Sequence, residues 1–226
     1  MKNYVIFLFA LAITGIIGGC AWRGGDRTIY PLPPTEDMTK YQTLSGTWEG
    51  RLDQNMDASA QLSYLAAEKK FRLELTIYTD DKTLVVPPLQ GTFTELNGET
   101  YFCASVNVSE LEKELKDASG QEYVMGPLLL PVSFLLKVDI RDNVITAYAL
   151  YFAKRDKDSK FMNKLNAAMI YDPEAYLLLN SPAQIREFIE KKQYDSQVLV
   201  ELRRKAPEAA EPAPGADKKP VSRSTK

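Results

Sequence analysis

Phe71-Arg72-Leu73-Glu74-Leu75-Thr76-Ile77-Tyr78 sets large apolar side chains at every second position, the signature of a strand with one buried face. Val132, Phe134, Leu136, Val138 and Ile140 repeat the pattern, with Ser133, Lys137 and Asp139 on the other side. Asp142-Asn143 permits a turn into a further strand over 144–152. Leu96-Asn97-Gly98-Glu99 is the strongest hairpin signal, because Asn-Gly accepts the positive φ needed at both centres of a type I′ turn. It joins residues 91–96 to 100–106. Before these, Trp48 and Leu52 share the inward face of an opening strand over 46–53. About five to seven strands are expected, mostly antiparallel because their connections are short.

Helices are expected as insertions and at the end. Ser109-x-x-Glu112 reads as a capping box for a short helix near 110–118. Phe161, Leu165 and Met169 are spaced for a second. Ser181, followed by Pro182 and Gln184, marks the clearest helix start: the hydroxyl caps an orphan amide and proline supplies a preset φ. Its apolar stripe is Ile185, Phe188 and Ile189. Asp195 reads as the cap of a last helix with Val198, Leu199 and Leu202 inward. The fold class is therefore mainly β (α+β): an antiparallel barrel or sandwich with short helical insertions and a two-helix C-terminal extension. The folded domain is placed at 42–204. Residues 20–41, with Gly24-Gly25 and Pro31-Leu32-Pro33-Pro34, read as a tether. Residues 205–226, carrying Pro207, Pro212, Pro214 and Pro220, read as a disordered tail.

The chain has 226 residues, 45% of them hydrophobic, enough to bury a core. With 28 basic and 30 acidic residues, a nucleic-acid surface is not expected. The absence of histidine excludes Ser-His-Asp and Cys-His catalysis within the chain, together with histidine-ligated metals. Asp53, Asn55 and Asp57 have the spacing of a calcium loop, but Ala58 and Tyr64 stand where such a loop requires glycine and glutamate. No metal and no cofactor are expected. Asp80-Asp81, Glu95 and Glu99 lie near strand ends, and a converging pair of carboxylates would support glycoside cleavage. Cys103, within Tyr101-Phe102-Cys103-Ala104, reads as a buried, inert thiol.

Residues 1–19 carry one charge, Lys2, ahead of an apolar run over 4–17, the length of a signal-peptide core. The Ile17-Gly18-Gly19-Cys20 that follows resembles the lipobox of bacterial lipoproteins. The resemblance implies removal of the 1–19 signal peptide and a mature N-terminus at Cys20, bearing a thioether-linked diacylglycerol and an amide-linked acyl chain such as palmitate. Each buried methylene contributes about 0.8 kcal/mol, so two or three chains form a stable lipid anchor where one holds marginally. Ala21 stands where lipoproteins kept in the inner membrane often have Asp. That implies the outer membrane, facing the periplasm, or the cell membrane in a source with a single membrane.

Leu44-Ser45-Gly46-Thr47-Trp48-Glu49-Gly50 resembles the Gly-x-Trp opening of lipocalin-like barrels. The resemblance covers 44–153 and implies that Gly46 turns the backbone into the first strand and that Trp48 plugs one end. The expected function is that of a non-enzymatic, membrane-anchored lipoprotein binding an apolar small molecule or lipid in its barrel. An accessory subunit of a cell-envelope complex, meeting an envelope protein through the helical end, is the alternative. A carboxylate-dependent hydrolase is the third.

Overall fold

The computed structural model describes residues 26–52, 56–80, 83–119, 132–152, 167–169 and 176–206. In chain order the strands are β1 (Arg27–Thr28), β2 (Gly46–Leu52), β3 (Met56–Leu65), β4 (Lys70–Tyr78), β5 (Thr83–Leu96), β6 (Glu99–Val106), β7 (Ser133–Arg141), β8 (Val144–Tyr151), β9 (Ala167–Met169), β10 (Tyr176–Leu178) and β11 (Asp195–Arg204). The helices are α1 (Val108–Ser119) and α2 (Pro182–Glu190), with a 3-10 helix at Thr39–Leu44. Strands β2 to β8 pair antiparallel in succession, and β11 pairs with both β8 and β2. The result is a closed eight-stranded antiparallel barrel of lipocalin-like form, and closure removes the edges that would invite aggregation. Outside β7, the strands β1, β10 and β9 make a small side sheet.

One end of the barrel, the floor, carries the tight turns. At the β5–β6 turn Asn97 and Gly98 have φ of 53° and 75°, and at the β7–β8 turn Asp142 and Asn143 have 47° and 63°. Both have the double positive φ of type I′ turns. The opposite end, the rim, lies at Leu52, Met56, Tyr78, Thr83, Val106, Ser133, Tyr151 and Asp195. Strand β5 continues through Pro87-Pro88. Its register against β4 shifts between Leu73 and Leu75, so the residues without a backbone donor fall in an irregularity of the ladder.

Alternation along the strands sorts the side chains into two cores. Inside are Trp48, Leu52, Phe71, Leu75, Phe93, Phe102, Leu136 and their neighbours. Outside, Tyr101, Cys103, Leu135, Leu150 and Phe152 form a second cluster beneath α2 with Leu32 and Leu178. Ser181 accepts from the Gln184 amide while the Gln184 side chain accepts from the Ser181 amide, a complete capping box. The cap contributes about 1 kcal/mol and burial of Ile185, Phe188 and Ile189 about 1.5–3 kcal/mol each, so packing, not capping, holds this short helix.

Four sequence expectations change. The last element is strand β11, not a helix. A bulge between Val198 and Val200 breaks the two-residue period, which gave Val198, Leu199 and Leu202 their helical spacing. The two-helix extension is thus one helix and the strand that closes the barrel. Residues 26–41, expected in the tether, form a strap that crosses the outer wall, where Asp26 and Leu32 are buried, and ends at the floor, where Met38 and Tyr41 join the interior cluster. Helix α1 starts two residues earlier than expected, with Asn107 accepting from the Glu110 amide. Met169 ends strand β9 rather than a helix. The lipobox with Cys20, the residues Asp53, Asn55, Asp81, Phe161 and Leu165, and the tail over 207–226 lie outside the described residues.

Candidate functional site: the barrel interior

All eight barrel strands turn apolar side chains to the axis, and between them lies a cavity of about 80 Å³. Every lining side chain is apolar. Trp48 and Leu52 of β2 line it together with Phe102 of β6, Phe134 and Leu136 of β7, and Leu199, Val200 and Leu202 of the neighbouring β11. The β11 bulge matters here, because it sends the neighbours Leu199 and Val200 both to the lining. Small residues make the space: Ala60, Ala104 and Ala147 line it where leucines would fill it. Such a void does not offer water the two to four polar partners it needs, so it stays dry or takes hydrocarbon.

The floor is closed by side chains brought from both ends of the domain. Gly46 has φ +143°, a conformation that L side chains rarely adopt, and it swings the chain from the 3-10 helix into β2. Trp48 is buried at this end and donates its indole N–H to the Leu44 carbonyl at 2.9 Å. The Arg204 guanidinium sits 5.1 Å from the Trp48 ring and donates to the carbonyls of Thr43 and, at 2.8 Å, Ser45. Tyr41 stacks on Phe93 at 4.4 Å, and Phe93 meets Phe71 edge-on. The floor is thus a plug of rings, with charge only on its outer side. Arg204 carried no signal in the sequence, since its role depends on β11 being a strand that ends opposite Trp48.

Among the described residues the candidate carboxylates do not converge. Glu95 pairs with Lys40 and accepts from the Tyr41 hydroxyl at the floor. Glu99 accepts from Lys137 at 2.6 Å and from the phenols of Tyr101 and Tyr194 at 2.7 and 3.2 Å on the outer wall. Asp80 follows β4 at the rim, the other end of the barrel. The Lys137 ammonium, with smaller help from Tyr101, holds Glu99 below the usual carboxylate range, and burial pushes the Tyr101 phenol up. This cluster clamps the stretch after α2 to the wall; it does not open into the cavity. Burial likewise raises the Cys103 thiol, and the residue is buried as the sequence implied. Asp57 stands 3.6 Å from Arg51. Among the described residues no group of acids or cysteine is placed to hold a metal ion, and no helix is long and apolar enough to cross a membrane.

Comparison with family models, with curated proteins and with solved structures finds no match to this chain.

Proposed function

We propose that the chain is a lipoprotein processed and acylated at Cys20, held at the outer membrane facing the periplasm, whose barrel receives an apolar guest. The observation that carries the reading is the interior cavity: about 80 Å³, with an unbroken hydrocarbon lining drawn from all eight strands. Its size limits the guest. An engineered apolar cavity of roughly 150 Å³ takes benzene, so the resting barrel admits a smaller group, such as the end of an acyl chain. A longer guest requires lining side chains to change rotamer, which the three lining alanines make less costly.

The accessory-subunit alternative relied on an exposed helical end. Helix α2 buries its apolar face on the barrel wall, and the other predicted helix is β11. The interior reading is therefore favoured. Native mass spectrometry and lipid extraction of protein made without residues 1–20 test it. A bound apolar molecule, lost in an Ala147→Phe variant of unchanged fold, is expected. Guest-free protein that takes up neither fatty acid nor hydrocarbon removes the proposal.

A further inference from the structure

We infer that the apolar guest enters and leaves the cavity through the barrel wall, between β4 and β5 at Glu74 and Pro87-Pro88, and that the first turn of α1, latched by the Arg72–Glu110 ion pair, gates the passage; this rests on the interior reading of the barrel.

The wall is weakened there by its backbone chemistry. Leu73 pairs with Leu89 and Leu75 with Val86, so Glu74 stands against Pro87 and Pro88. Neither proline has an N–H to donate, and the ladder loses bonds of the kind that hold neighbouring strands about 4.8 Å apart. Leu73, Leu75 and Leu89, which flank the break, all line the cavity. A spread of the two strands at this point therefore opens directly onto hydrocarbon. The other irregularity among the described pairings, between Val198 and Val200 of β11 opposite β8, contains no proline, so every residue there keeps its donor. The floor is closed by the Trp48 indole and the Tyr41–Phe93 stack.

The first turn of α1 is pinned to both strands beside the break. On the β5 side the Asn107 amide, just ahead of the helix, donates to the Pro88 carbonyl at 3.0 Å. On the β4 side Arg72 alternates with the inward Phe71 and Leu73 and so faces out, where its guanidinium pairs with Glu110 of the helix and, at 2.8 Å, with Glu74 inside the break. Leu111, the next residue of the turn, is buried. One turn of helix thus ties together the two strands that must part, and an ion pair secures it to β4.

The latch closes at a cost. Among the buried side-chain nitrogen and oxygen atoms of the described residues, Arg72 Nε alone has no hydrogen-bond partner. A donor buried in this way forfeits the bond it would make with water. Lifting the turn restores that bond and offsets part of what the ion pair loses, so the closed form is favoured by a small margin, as a gate requires and a fixed wall does not.

Stopped-flow quenching of Trp48 by a bromine-tagged medium-chain fatty acid tests the route, in protein made without residues 1–20 and carrying Trp22→Phe so that the cavity-lining indole reports alone. An Arg72→Cys/Glu110→Cys variant is joined by a short bismaleimide or capped at both thiols with N-ethylmaleimide; buried Cys103 stays unreacted. The joined form is expected to take up the acid about tenfold more slowly than the capped form, and Arg72→Ala about threefold faster than the parent, with equilibrium affinity unchanged in each. Joined protein that is quenched as fast as the capped form overturns this inference alone and sends the guest in by the rim. Absence of quenching in the parent and in every variant overturns it together with the interior reading beneath it.

Discussion

At the scale of single residues, the floor depends on Gly46 and Arg204. A β-carbon at Gly46 is opposed by its φ of +143° rather than by crowding, since the nearest atom would be Arg204 Nη2 at 3.6 Å. Gly46→Ala is therefore expected to cost about 1–3 kcal/mol through backbone strain, read as a fall in urea midpoint with unchanged slope. An unchanged midpoint contradicts the assignment. Glu99 gives a pH signature. Its folded-state value is depressed, mainly by the bond from Lys137, so its contribution is present above the ordinary 4.5 and is lost as pH falls through the lower folded value. Glu99→Gln should flatten the decline of stability below pH 4.5 without abolishing it, because Glu95, bonded to Lys40, is depressed in the same direction. A denaturation series from pH 6 to 3 measures this. Gly46 and Trp48 were legible in the sequence as a pair; Arg204 was not, because an isolated arginine shows nothing until its strand is placed.

At the scale of elements, legibility followed periodicity. Residues 71–78 and 132–140, the Asn97-Gly98 turn and the Ser181 cap are local patterns, and each forms as its residues dictate. Where the ladder carries an irregularity the pattern misleads. The bulge in β11 puts Leu199 and Leu202 three apart on one face and imitates a helix, and the prolines of β5 hide the first half of a long strand. Strand β3 carries a weak signal although Ala58, Ala60 and Leu62 alternate, because alanine contributes little to an apolar pattern. Native-state hydrogen exchange separates the strand from the helix at 195–204. As the closing strand, bonded on both sides, β11 should exchange its paired amides only at the global unfolding rate; a terminal helix would fray locally. Fast exchange across Val200 to Leu202 contradicts closure.

At the scale of the whole molecule, two apolar compartments share one wall. The outer one is sealed by α2 and the strap, and the inner one retains a cavity because alanines from β3, β6 and β8 line it among larger apolar side chains. Sequence alternation announced an apolar interior but not its volume, since packing and vacancy use the same residues. The central claim is that the interior, not the outer cluster, takes a hydrocarbon guest. Methyl NMR during titration with a medium-chain fatty acid tests it most directly, comparing interior Leu75, Leu136 and Leu199 with Leu135 and Leu178 outside. Saturable shifts confined to the interior methyls are predicted. Silence at those methyls, or shifts centred on Leu135 and Leu178, contradicts the claim.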